Sequence, residues 1–383
     1  MFDTTTAPNF RLTNARIVTP DGIHTGALSV ENSQIGDLNF AAEGTDLEKD
    51  FLIPGIVDLH TDHVETHVFP RAGVIWDFDA ALAAHDAVVI SGGTTTVFDS
   101  LSVGASMQKP ERRKLLLPLI KTLGMAAAEG RFRAEHLLHL RCEICDPDTM
   151  ELVDQTMDHP LTRLASVMDH TPGDRQSVDV DKWLHHTAVE MQIDNAEARE
   201  KLTELLDRSA RVGATVRAHV IAAAQKAGQP LMSHDDRTVA HIHEARDEGI
   251  AISEFPTTLD AAREARNCKQ QVVVGAPNYL RGGSQSGNVA VADLLAAGVV
   301  DALASDYIPR SPLDAAFRIA EDPALPYDLP QAIALVSDAP AKMTGLTDRG
   351  RIAPGLRADL VRVRRRNGQN HVVSVWRAGL RVY

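Results

Sequence analysis

Pro54-Gly55-Ile56-Val57-Asp58-Leu59-His60-Thr61-Asp62 reads as a buried apolar strand that ends in two residues able to hold a metal. Side chains at i and i+2 of an extended strand share a face, so His60 and Asp62 are expected to project into one space. Imidazole and carboxylate together suit zinc, manganese or iron rather than an ion that prefers thiolate. Similar strand ends recur downstream, and that repetition gives the first pair its weight.

Outward from this stretch, the runs 55–60, 94–99, 136–143, 164–169, 230–233, 250–255, 271–275 and 301–305 read as strands. Helical patterns fall between them, among others over 79–90, 112–129, 196–211 and 288–297. Alternating strands and helices of this number point to an α/β fold, a (β/α)8 TIM-like barrel over residues 54–349. Before it, Ala15-Arg16-Ile17-Val18 and Ala27-Leu28-Ser29-Val30 flank the turn Pro20-Asp21-Gly22. After it, the β-rich runs 359–363 and 371–376 flank Asn367-Gly368. The expectation is that 1–53 and 350–383 combine into one small β-sandwich domain. The acidic, His-containing region 178–200 is expected to be an insertion over the barrel mouth.

At 383 residues, 44% of them hydrophobic, the chain can bury a full-sized core. No apolar run approaches the length of a membrane span, so no membrane partner is expected. Met1-Phe2-Asp3-Thr4-Thr5-Thr6 lacks the basic-then-apolar order of a signal peptide, and three cysteines make no disulfide framework. Both observations point to the cytoplasm. The net charge of −13 argues against nucleic acid, which needs a basic footprint. It leaves room for a small anionic substrate held by local arginines and metal ions. Self-association is open, a homo-oligomer included.

Functional residues of such a barrel gather at the carboxyl ends of its strands. Read in order, those ends supply His60 and Asp62, then Glu143, which shares a strand face with His139 and Arg141. His170, His234 and Asp306 follow. Three histidines and three carboxylates could hold two divalent ions, zinc before manganese, iron or magnesium. Glu143 is the preferred bridge, and Asp306 is the expected catalytic proton acceptor as well as a ligand. Most of the sixteen histidines need no such role. His24, His85, His159, His185, His186 and His371 read as loop or helix residues, whereas His241 could face the mouth. Cys142-Glu143-Ile144-Cys145 lacks a second pair at finger spacing, so Cys142 reads as core and Cys145 as incidental.

Several segments also resemble a known family. They include Gly93-Thr94-Thr95-Thr96-Val97-Phe98-Asp99, Leu138-His139-Leu140-Arg141-Cys142-Glu143 and Met168-Asp169-His170-Thr171-Pro172-Gly173. Ser233-His234-Asp235-Asp236, Glu254-Phe255-Pro256-Thr257-Thr258 and Ser305-Asp306-Tyr307 are among the others. With the opening stretch, they are similar to the amidohydrolase superfamily, and within it to the branch that serves phosphonate use by the carbon–phosphorus lyase pathway. The resemblance implies a metal-dependent hydrolase that cleaves a ribose 5-triphosphate, carrying methylphosphonate at C1, to the 5-phosphate and pyrophosphate. Two departures stand out. The superfamily's His-x-His is His60-Thr61-Asp62 here, and its carbamylated lysine is absent, with Glu143 as the natural substitute. The stretch 178–228 matches poorly.

Cleavage of a neutral amide has little need of arginine, yet Arg71, Arg141, Arg175 and Arg281 all lie near the expected rim. Arg281-Gly282-Gly283-Ser284-Gln285-Ser286-Gly287-Asn288 is expected to run straight into a helix. Glycines let backbone N–H groups approach an anion, a helix start favours negative charge, and guanidinium binds phosphate in bidentate fashion. The four arginines with Gly282, Gly283, Ser284, Ser286 and Asn288 are therefore the expected contacts of a small phosphorylated sugar. The competing readings are an amidohydrolase acting on a C–N bond (a base deaminase or cyclic amide hydrolase) and a catalytically silent scaffold.

Overall fold

A computed structural model describes residues 8–38, 43–71, 73–104, 111–173, 175, 179–284 and 286–383. Eight parallel strands follow one another round a barrel in chain order. They are β6 (Ile56–Thr61), β7 (Thr94–Val103), β8 (Glu135–Glu143), β9 (Thr162–Met168), β10 (Leu231–His234), β11 (Ile252–Glu254), β12 (Gln271–Gly275) and β13 (Ala302–Ala304). The seam between β13 and β6 closes through a parallel bridge from Thr61 to Asp306. Asp306 N–H donates to the His60 carbonyl at 2.9 Å, and Asp62 N–H donates to the Asp306 carbonyl at 3.1 Å. The Asp58 carboxylate accepts from Ser305 N–H at 2.9 Å just below. The closing seam therefore carries three expected site residues.

Strand alternation decides which side chains point inward. Along β8, Leu137 joins the barrel interior with His139, while Leu138, Leu140 and Cys142 pack outward against helices. Phe98, Leu164, Met232, Ile252, Val273, Ala302 and Ala304 fill the floor of the interior in the same way. In β6 the register against β7 shifts between Asp58 and Thr61. Leu59 packs in the floor and His60 also turns inward, meeting Glu254. His63 lies beyond the strand and meets His67 and His85 instead of His60.

Both chain ends meet in a second sheet of eight strands. It contains β1 (Phe10–Thr19), β2 (Gly22–Glu31), β3 (Gln34–Leu38), β4 (Thr45–Asp46), β5 (Phe51–Pro54), β14 (Leu360–Arg366), β15 (Gln369–Arg377) and β16 (Leu380–Arg381). Its pairing is mostly antiparallel, with β5 lying between β1 and β14. Leu12, Ile17, Leu28, Val30, Ile35, Leu360 and Trp376 form its core. Gly55 alone separates β5 from β6, so the stretch that opens the barrel also ends the terminal sheet.

The region 178–200 is mostly helical where it is described. Val178 lies outside the described residues, and Val180–Met191 is a helix. Asp194 then starts the 33-residue helix Asn195–Ala227 with a capping box, its side chain accepting from Ala196 and Glu197 N–H. The far half of that helix packs Val216, Val220, Ile221 and Ala224 against the barrel's outer layer. Both helices belong to the connection between β9 and β10. No helix among the described residues is long and apolar enough to cross a membrane.

Candidate metal and active site

The inward side chains at the strand ends converge on Glu254, the last residue of β11. Its carboxylate accepts from His60 Nδ1–H through Oε1 and from His234 Nδ1–H through Oε2, both at 2.6 Å. Carboxylate oxygens only accept, so these contacts place a proton on each Nδ1 and leave each Nε2 as the nitrogen available to a cation. His139 Nε2 lies 3.9 Å from Glu254 Oε1. The serines Ser100 and Ser166 hold the two nitrogens of His139 at 3.0 Å each. His60 lies 5.2 Å from His139 and 6.0 Å from His234, ring centre to ring centre.

A second carboxylate–imidazole pair adjoins the first. His170 Nδ1–H donates to Glu143 Oε2 at 2.6 Å, and Cys145 Sγ–H donates to Glu143 Oε1 at 3.2 Å. The His170 ring stands 5.8 Å from that of His234, so the two pairs touch. Asp235 Oδ2 lies 3.2 Å from His234 Nε2 yet makes no hydrogen bond, although it is buried. Two sets of three donor atoms result, from His60, His139 and Glu254 and from His170, His234 and Asp235.

Electrostatics follow from this crowding. Burial opposes the charge on Glu254, but His60, His139 and His234 hold its carboxyl well below the usual range. Burial would also neutralise His234, yet Asp235 and Glu254 outweigh it and raise the imidazole to about 10, so a cation at its Nε2 has to displace a proton. His139, pushed down by burial to about 3, stays neutral. Burial lifts Asp306 above the ordinary aspartate value against the pull of His60, Arg141 and His234, and Asp62 adds to the rise. A carboxylate so placed is a better proton acceptor than an exposed one.

The residues fit a divalent ion. Imidazoles with oriented lone pairs, a buried orphan carboxylate oxygen and carboxylates behind the rings are the donor chemistry that zinc or a similar cation takes. His60, Glu143, His170, His234 and Asp306 are brought together. Asp62 lies just past the end of β6, where its Oδ2 is 3.8 Å from Arg141 Nη1. The carboxylate spanning two imidazoles is Glu254, whereas Glu143, the expected bridge between ions, pairs with the imidazole of His170. Glu254 points across the barrel towards β6, whereas the loop after β9 folds His170 over Glu143. Nor is Cys145 incidental, since its thiol is bonded to Glu143.

Three strand ends turn through left-handed backbone beside the site. Asp235, Phe255 and Asp306 have φ of 57°, 55° and 56°. Such conformations cost on the order of 1–3 kcal/mol for a side-chain-bearing residue and gather at functional sites. They break each strand sharply, which sets Asp235 beside His234 and Phe255 against the rings of His60 and His234.

A cavity of about 110 Å³ opens from Asp235, Phe255 and Asp306 towards Arg281, Ser284, Ser286, Asn288 and Tyr307. Arg281 Nη1 donates to the Tyr307 hydroxyl at 3.3 Å. The glycines play another part than expected. Gly282, at φ 79°, caps the end of the helix Ala276–Arg281, and the next helix, Val291–Ala296, begins only after Asn288. The Asn278 side chain already accepts from Val291 N–H at 2.9 Å, so that helix start is satisfied internally. Gly282 is exposed and Gly283 half-buried, neither lines the cavity, and Gln285 lies outside the described residues.

Two of the expected phosphate-binding arginines are placed differently. Arg175 is buried, donating to Asp236 Oδ1 at 2.6 Å and to Glu244 Oε2 at 3.4 Å. It braces the loop after β9 against β10 because Asp236 is a buried carboxylate that needs a counter-charge. Arg71 is exposed in a turn and does not line the cavity. Arg141 keeps a buried Nε without a hydrogen-bond partner.

Sequence reasoning overlooked Glu254, His139 and Asp235 as site members. Glu254 falls one residue short of the expected strand end at 255, whereas β11 ends on it. His139 lies mid-strand on the same face as Glu143, and that alternation was the available signal.

The sequence profile of the Amidohydrolase family matches residues 131–383. The chain belongs to the amidohydrolase family. Along 376 residues it is 38% identical to the alpha-D-ribose 1-methylphosphonate 5-triphosphate diphosphatase of Escherichia coli K12, covering 97% of this amidohydrolase and 100% of that protein. Among solved structures, it resembles a 5-methylcytosine deaminase from Klebsiella pneumoniae liganded with phosphonocytosine, with a TM-score of 0.64 and 16% identity over 97% of this chain and 98% of the other. A D-hydantoinase matches with a TM-score of 0.56 and 17% identity over 98% and 95%. At such identities the structural likeness speaks for the fold. Family and relative together make the protein a hydrolase.

Proposed function

We propose that this hydrolase cleaves the 5-triphosphate of α-D-ribose 1-methylphosphonate 5-triphosphate to the 5-phosphate and pyrophosphate. The reading rests on the named relative, similar along nearly the whole of both chains, and on one structural observation. A single cavity joins Asp306 and Asp235 of the ligand cluster to a wall of Arg281, Ser284, Ser286 and Asn288. That wall offers a guanidinium, hydroxyls and an amide, the donors a chain of phosphoryl oxygens uses.

His60, His139, His170, His234, Asp235 and Glu254 would hold the metal, with Asp62, Glu143 and Asp306 at its margin. A divalent ion bound there supplies Lewis acidity and an activated water. Asp306 accepts the proton released as water attacks phosphorus, its carboxyl lifted by burial towards the working range. Arg141 and Arg281 balance negative charge on the phosphoryl oxygens and the departing pyrophosphate. Phe255 and the apolar residues Val274, Val289 and Leu294 keep bulk water from the cavity's back wall.

The test is product analysis with that substrate, with and without added divalent metal. Pyrophosphate and the 5-phosphate in equal amounts are expected. Release of ammonia from cytosine or adenine, with no pyrophosphate from the sugar triphosphate, would replace this reading by C–N hydrolysis.

A further inference from the structure

We propose that His63, His67 and His85 form a second metal site, separate from the rim cluster, that takes a zinc-like divalent cation. His63 precedes the short helix Val64–Val68, which carries His67, and His85 comes from the helix Phe78–Ser91. One ring nitrogen from each lies within 4.8 Å of the other two. The ring centres are 4.9 Å apart for His63 and His67, 5.7 Å for His63 and His85, and 6.1 Å for His67 and His85.

The nitrogens are arranged for a cation rather than for one another. His85 Nε2 is 2.7 Å from Asp99 Oδ1, so that nitrogen carries the proton and His85 Nδ1 keeps its lone pair. His63 Nδ1 faces this lone pair at 3.4 Å. That is a long hydrogen bond, since N–H donors stand about 2.9–3.0 Å from oxygen acceptors. Two nitrogens bound tetrahedrally to zinc, at about 2.0–2.1 Å each, stand about 3.4 Å apart. His67 Nε2 is buried and has no hydrogen-bond partner. Behind His85, the fully buried Asp99 also holds His136 Nδ1 at 2.7 Å, so the orienting carboxylate is itself fixed.

This cluster shares no residue with the rim. The ring neighbours of His60 are His139, His234 and Phe255, while those of His63 are His67 and His85. With three protein ligands on two elements, the ion would clip the first helix after β6 to the second. The segment carrying Arg71 would be held between them.

The experiment uses the full chain, stripped by chelator dialysis and reloaded with zinc at a few equivalents per chain. Elemental analysis compares the parent with the His63→Gln/His67→Gln double variant, whose folding is checked by circular dichroism. The variant is expected to hold one zinc fewer per chain, whatever the rim binds. Equal zinc in the two folded proteins would overturn the site. If the variant fails to fold, anomalous diffraction at the zinc edge from reloaded parent crystals decides. A peak among the three rings supports the site, and its absence overturns it.

Discussion

Glu254 accepts from His60 and His234 with separate oxygens, so glutamine in its place would turn one acceptor into a donor facing an imidazole N–H. Glu254→Gln is expected to lower bound metal per chain and to reduce turnover about 10–100-fold. Elemental analysis beside a pyrophosphate assay reads both. Asp306→Asn should separate those quantities. Asparagine keeps the shape but cannot take a proton, so kcat should fall by about 10²–10⁴ while metal content stays near that of the parent. Full activity in Asp306→Asn would remove Asp306 from the proton-transfer role. The two carboxylates differ because Glu254 is surrounded by imidazoles that keep it ionised, while burial dominates at Asp306.

At the scale of elements, the site depends on where strands end and how they break. The expected strands at 94–99, 136–143 and 271–275 lie within or almost coincide with Thr94–Val103, Glu135–Glu143 and Gln271–Gly275, because apolar runs bounded by turn residues mark buried strands. The left-handed breaks at Asp235 and Phe255 left no such mark, since aspartate and phenylalanine do not announce that conformation as glycine does. The single-residue link Gly55 is a tighter constraint. A Cβ there would stand 2.1 Å from Thr95 Oγ1 on β7. Gly55→Ala must displace either β7 or the β5–β6 junction, and overpacking of this kind costs about 1–3 kcal/mol. Thermal unfolding should show a Tm several degrees lower, and an unchanged Tm would mean that the junction yields freely.

For the whole molecule, the barrel and the terminal sheet are tied through Glu135 at the start of β8. It accepts from Arg349 Nη1 at 2.5 Å and from Arg357, and Arg349 also donates to Thr96 Oγ1 at 3.0 Å. Burial alone would raise the Glu135 carboxyl, but Arg357 and Arg349 bring it down from 4.5 to about 2. The unfolded chain therefore takes up this proton at a higher pH than the folded one. The stabilisation is complete above the unfolded value of 4.5 and disappears as pH falls through about 2. Glu135→Gln should cost about 1.5–3 kcal/mol at pH 7, and the gap to the parent should narrow between pH 5 and pH 3. Denaturant unfolding of both proteins across that range measures it, and a constant gap would show that the charge is not what holds Glu135.

Local pattern determined the alternation of strands and helices, the union of the two chain ends in one β-domain, and the candidacy of His60, His170, His234 and Asp306. Each is written in the period of its own segment, and strand ends are where such a barrel displays its chemistry. Only the tertiary structure decided which carboxylate lies among the imidazoles and which arginines meet the cavity. Glu254 reaches His60 across the barrel, from residues 194 positions apart, and no local pattern encodes that distance. Arg175 and Arg281 look alike in sequence. Burial beside Asp236 and Glu244 commits the first to holding a loop, whereas the second stands on the cavity wall.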